Sequence, residues 1–131
     1  MSNATFTVAE AAKLVGIDVG RLRGWLQHRH ITFGTRSLTG RYSFTIRDVR
    51  AIALMARLVD HGHEPGLAAD RAIRIVDRAA GWRHAPLAAV FSLSPNVSPC
   101  LIPEDAAPET DALVVIPLAP LFAEIDAKAA A

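Results

Sequence analysis

The sequence predicts a mainly α fold: a winged helix-turn-helix domain followed by a small α+β C-terminal extension. Two short amphipathic helical patterns are joined by a break of about three residues that contains Gly16, the spacing of a helix-turn-helix. A turn-rich stretch with β-type residues follows them, which suits a wing. Seven of the eight prolines then fall between residues 86 and 120, where no long helix can run. The helical domain is therefore placed at residues 5–83 and the extension at 84–131.

Thr7 and Glu10 have the spacing of a capping box, in which hydroxyl and carboxylate each satisfy the other's backbone N–H. Val8, Ala11, Ala12 and Val15 continue as one stripe until Gly16 permits a left-handed helix end. Ile17 plugs the turn, Asp18 caps a second helix, and Leu22, Trp25 and Leu26 form its inner side. Trp25 is read as core. From His30 to Thr45 the helical period is lost, and Gly34, Ser37, Thr39 and Gly40 supply turns around Thr32, Phe33, Tyr42 and Phe44, which predicts a small hairpin. Thr45 and Asp48 repeat the capping box, and Val49, Ile52, Met55, Ala56 and Val59 carry a third helix to Gly62.

Pro65 and Gly66 open a fourth helix. Ala69, Ala72, Ile73, Val76 and Ala80 form its inner face, and Asp70, Arg71, Arg74, Asp77 and Arg78 its solvent face. Gly81 stops it, and the domain is expected to close near Trp82. In the extension, residues 87–93 and 112–116 have the composition of strands, residues 104–111 form an acidic loop, and residues 118–128 suit a terminal helix with Leu121, Phe122 and Ile125 on one side.

The chain has 131 residues, 51% of them hydrophobic and 21% charged, within the range of a folded domain. No secretory signal or membrane-length apolar run is present, which predicts a cytoplasmic protein without membrane contact. Cys100 is alone, so no intramolecular disulfide forms, and with no charged neighbour in sequence it is expected to be a buried or inert thiol. The net charge of +1 hides an asymmetry: thirteen Lys and Arg against seven acids up to residue 83, and one Lys against six acids beyond it. The basic half suits a polyanion; alternatively its arginines solvate helix faces.

The run Thr7-Val8-Ala9-Glu10-Ala11-Ala12-Lys13-Leu14-Val15-Gly16-Ile17-Asp18-Val19-Gly20-Arg21-Leu22-Arg23 resembles, without a gap, the opening of MerR-type regulators. Gly40-Arg41-Tyr42-Ser43-Phe44-Thr45, with Asp48-Val49 after it, resembles the family's wing and the helix that follows. The resemblance covers residues 6 to about 80 and implies binding to double-stranded DNA. Three departures stand out. Gly24, Trp25 and Leu26 occupy positions where the family has two tyrosines and a glutamate. Arg41 and Tyr42 are transposed. The proline-rich extension replaces a long dimerisation helix, so effector-triggered control is not carried over.

Arg21 and Arg23 lie in the first turns of the second helix, where an arginine fork can bind guanine or phosphate. Arg21 is the candidate base reader. Arg23, at the position of the family's arginine, is the phosphate candidate; the alternative is that it folds back onto an acidic neighbour. Gln27 extends that footprint, and Lys13 joins the DNA-contacting set from the first helix. Arg36, Arg41 and Tyr42 flank the wing tip and suit backbone or minor-groove contact, although Tyr42 equally suits packing across the hairpin.

The pairs His28/His30 and His61/His63 lack the spacing of helical metal ligands. They are expected to be solvated, with no metal and no cofactor. No catalytic constellation is found, so the chain is expected not to be an enzyme. The reading is a sequence-specific transcriptional regulator acting as a homodimer, with the extension joining protomers or binding a protein partner. Cut after residue 83, it is expected to leave a folded monomer. An antitoxin whose extension binds a toxin, or an excisionase-like architectural protein, are the alternatives.

Overall fold

The computed structural model describes residues 4–81, 86–106 and 113–131. The expected domain closure near Trp82, the boundary after residue 83, the acidic loop beyond Ala106 and the first predicted strand residue Ala112 lie outside these. In chain order the elements are α1 (Val8–Val15), α2 (Val19–Gln27), β1 (Thr35–Arg36), β2 (Tyr42–Ser43), α3 (Ile46–Asp60), α4 (Pro65–Ala80), β3 (Leu87–Ser92), β4 (Cys100–Pro103), β5 (Leu113–Pro117) and α5 (Leu118–Ala130). The fold is mainly helical, with a wing and a small C-terminal α+β unit, as the sequence predicts.

Local chemistry sets the helix starts. Both capping boxes form: the Glu10 N–H donates to Thr7 Oγ1 at 3.1 Å while the Thr7 N–H donates to the Glu10 carboxylate at 2.9 Å, and Thr45 and Asp48 repeat the exchange. Asp18 accepts from the Gly20 N–H at the start of α2. Glu64 caps α4 by accepting from Gly66 and Leu67, and those two bonds hold its carboxyl below the usual range.

α3 is the centre of the molecule. A one-sided stripe is expected of it, yet Val49, Leu58 and every residue from 51 to 56 are buried. Three helices surround it: α1, α4 and α5 all pack against it, and Ala51, Ala53 and Ala56 allow close approach.

The wing is a two-stranded hairpin with Thr35 opposite Ser43 and Arg36 opposite Tyr42. Gly34 begins it at φ +91°, with the Phe44 ring so close that a β-carbon would meet it at 2.8 Å. Phe6 and Phe44 exchange backbone hydrogen bonds of 2.8 and 2.9 Å. The segment before α1 thus pairs beside β2, a long-range contact that no local pattern reveals.

The C-terminal strands form an antiparallel sheet in the order β4-β3-β5. Val90 faces Cys100 on one side and Val115 on the other. β3 and β5 match the predicted strands, but β4 was not foreseen, because Pro99 and Pro103 bracket it. Proline is tolerated at the ends of such an edge strand. Leu87, Ala89 and Phe91 join Ile116, Leu118, Leu121 and Ile125 in one core with the helices, and Phe122 is half-buried beside it. Arg50 on α3 grips Asp126 on α5 at 3.0 and 2.7 Å. A chain cut after residue 83 would strip this cover from α3.

Four further expectations are corrected. Arg71, assigned to solvent, is 4% exposed. Its guanidinium donates to the carbonyls of Ser92, Ser94 and Val97 and to His63 Nε2, so it pins the β3–β4 loop onto α4. Ala80, assigned to the core, is exposed, and Ala68 and Ile75 are buried instead, because α4 is covered both by α3 and by that loop. His63, expected to be solvated, is 5% exposed, folded under the α3–α4 turn with its backbone N–H donating to the Leu58 carbonyl. Cys100 is an exposed free thiol on β4, so it is not buried.

Candidate nucleic-acid interface

α1 and α2 meet across a short turn that the sequence closes twice over. Gly16, at φ +82°, ends α1, and Ile17 donates back to the Ala12 carbonyl. Asp18 then starts α2 at once. Leu22, Trp25 and Leu26 are buried, which turns Arg23 and Gln27, one helical turn apart, to the opposite side. That side faces the wing.

Between the first turn of α1, the outer side of α2 and the hairpin lies a groove of about 750 Å³. Four arginines line it: Arg23 from α2, Arg29 just beyond its end, and Arg36 and Arg41 from the wing. Gln27 and Tyr42 help complete the wall, and among the described residues no acidic side chain lines it. None of these four arginines forms a salt bridge among the described residues. The positive end of the α1 dipole opens toward the same groove.

The wing holds its shape through its own turn. Gly40 donates to the Ser37 carbonyl at 2.9 Å, Ser37 Oγ lies 2.9 Å from Thr39 Oγ1, and the Arg41 N–H donates to Ser37 Oγ at 3.2 Å. Leu38 at the tip is fully exposed. Arg36 lies over the Tyr42 ring at 5.6 Å, and that ring stacks on Phe44 at 6.2 Å. Tyr42 therefore packs across the hairpin and also lines the groove.

Of the candidates named from sequence, Arg23, Gln27, Arg36, Arg41 and Tyr42 come together here. Lys13 is exposed on α1 but does not line the groove. Arg21 does not line it either: two residues before Arg23, it points about 200° away around the helix. Its guanidinium sits 3.2 Å from Asp60 and 4.8 Å from the centre of the Trp25 ring. The acidic neighbour imagined for Arg23 is in fact Arg21's.

Arg29 was missed as a site residue. The His30 N–H donates to the Trp25 carbonyl at 2.9 Å and the Arg29 N–H to that of Leu26 at 3.1 Å. This pair of bonds closes a helix with a left-handed residue. Arg29 takes that role at φ +60°, a conformation costing a side-chain-bearing residue about 1–2 kcal/mol. The local signal is weak because the usual glycine is not there.

Among the described residues no group of three or more His, Cys, Asp or Glu is placed to hold a metal, and no helix is long and apolar enough to cross a membrane.

Residues 6–70 match the family described as MerR HTH family regulatory protein. Among solved structures, the chain is similar to HiNmlR, a MerR family regulator lacking the sensor domain, bound to promoter DNA. The identity is 22% and the TM-score 0.42, over 61% of this chain and 58% of that one, so this chain spans little more than half of that protein's length. No curated protein matches the chain. With its capped helix pair, glycine turn and wing in the order and position of that family match, the N-terminal part of this chain belongs to the MerR helix-turn-helix family of regulatory proteins.

Proposed function

We propose that this protein is a sequence-specific regulator that binds double-stranded DNA through the groove between α2 and the wing. The observation that carries the reading is the groove's four arginines with no carboxylate partner among the described residues. Unpaired cations held within one concave surface repel one another unless a polyanion enters, and a duplex supplies evenly spaced phosphates. Family membership of residues 6–70 supports the same conclusion.

Within this reading Arg23 and Gln27 present the α2 face to the major groove. Arg36 and Arg41 follow the backbone on the wing side, Tyr42 fixes the Arg36 guanidinium, and Lys13 adds a flanking charge. Arg21 reaches a base only by releasing Asp60. The protein acts as a homodimer on paired half-sites, since one such module buries only about 600–1,000 Å² on DNA and linking two raises affinity. The C-terminal sheet, with β4 and β5 as its edges, is the surface we assign to the protomer contact. Catalysis has no part in this function.

Affinity selection of genomic fragments by the full-length protein tests the reading. The expected outcome is one recovered motif with two half-sites, bound with a steep salt dependence. Recovery of random fragments, or of none, would overturn it. Sedimentation at matched concentrations tests the dimer.

A further inference from the structure

We infer that Arg29 is a phosphate-contacting residue, placed by the left-handed turn that ends α2 at a site where the chain gives up stability to gain binding. This rests on the DNA-binding reading above. The two backbone bonds that close α2 fix the conformation of residue 29 whatever its side chain. Glycine adopts that conformation freely, and an arginine does not. The chain uses glycine at the neighbouring helix end: Gly16 sits at φ +82° where Ile17 makes the same return bond, to the Ala12 carbonyl, at 3.0 Å.

Among the described residues no side-chain contact repays the arginine, and the dipole end of α2 offsets only part of the cost. Its side chain is exposed, and among the described residues it makes no side-chain hydrogen bond, salt bridge or ring contact. Strain held by an otherwise well-determined backbone, at a residue lining a functional groove, points to a ligand rather than to the fold. The place itself specifies the ligand's chemistry. α2 ends here with carbonyls directed outward, a negative dipole end that disfavours an approaching phosphodiester. A guanidinium at the next residue reverses that field and offers a planar fork to phosphate oxygens.

The test compares full-length wild type, Arg29→Gly and Arg29→Lys in thermal melts and in titrations of a fluorescein-labelled, mixed-sequence duplex over a range of salt. Arg29→Gly is expected to raise Tm by about 2–6 °C. It should also weaken duplex binding by about 5–10-fold and reduce the slope of log K against log salt by about 0.9, the signature of one lost phosphate contact. Arg29→Lys should keep the wild-type Tm and the wild-type slope, because the backbone cost and the charge both remain. An Arg29→Gly protein that melts higher yet binds with unchanged affinity and slope overturns this inference alone. One that melts lower assigns the side chain to the fold and overturns it as well. A wild-type protein that does not bind the duplex removes the DNA-binding reading and this inference with it.

Discussion

The arginines of the groove and those of α3 and α4 have the same chemistry and opposite surroundings. Arg23, Arg29, Arg36 and Arg41 face a shared concave surface that holds no carboxylate among the described residues. Arg47 and Arg50 make two-pronged bonds to Asp77 and Asp126, Arg71 is enclosed by carbonyls, and Arg74 pairs with Asp70. The Arg47 guanidinium holds the Asp77 carboxyl below its usual range. Charge alone does not separate the sets; pairing does. An arginine already satisfied inside the fold has no fork left for a partner, so its loss should be read in stability, whereas loss of a groove arginine should be read in binding.

Arg71→Met should break this division most visibly if it is wrong. Removing the guanidinium orphans three carbonyls and His63 Nε2, so urea denaturation should show a loss of about 2–4 kcal/mol. The remaining folded protein should bind DNA as before. Arg23→Ala should do the reverse, leaving the urea midpoint unchanged and weakening all duplex sequences by about 1–3 kcal/mol in titration. Arg21→Ala sharpens the point, since its smaller effect on binding would confirm that Asp60 occupies that guanidinium; equal losses at both would return Arg21 to the interface.

Arg50→Ala should cost about 1 kcal/mol, because its bonds to Asp126 and its contact with Phe122 are only partly shielded from water. Denaturation of the single and double mutants with Asp126→Ala isolates the pair; additive losses would show that it contributes nothing.

The smallest effect concerns pH. Burial, then the charges of Arg71 and His61, lowers the His63 pKa from its ordinary 6.5. Because the folded value is the lower one, the unfolded chain takes up the proton first as pH falls. Stability should be full above about 6.5, decline as pH drops toward the lowered value, and then level off. His63→Leu should flatten that decline in urea midpoints measured across the window. Since Arg71 donates to Nε2, the neutral ring carries its proton on Nδ1, which is buried without a hydrogen-bond partner, so the substitution also removes a desolvation penalty.

The elements legible in the sequence are those set by neighbouring residues. Thr7 with Glu10, Thr45 with Asp48, Asp18 and Gly16 each act within four positions, and they placed α1, α2 and α3 closely. Apolar runs likewise revealed β3 and β5. What stayed hidden depends on partners far along the chain. Arg71 looks like a solvent residue by helical period, and only the loop at residues 92–97 makes it a buried one. β4 is concealed by its prolines, and the Phe6–Phe44 pairing by distance. For the groove, residue types were readable but their convergence was not: helix phase separates Arg21 from Arg23, and Arg29 lacks the glycine that would have marked its turn.

The Phe6–Phe44 bridge has a dynamic consequence. Its two hydrogen bonds join the chain before α1 to the chain just after the wing, so they tie off the helix-turn-helix and hairpin as a closed loop. A closed loop cannot fray from one end; it opens only when the knot is released. The amide protons of Phe6 and Phe44 should therefore show one shared protection factor against exchange with solvent, and that factor reports the free energy of releasing the wing from the helices it faces.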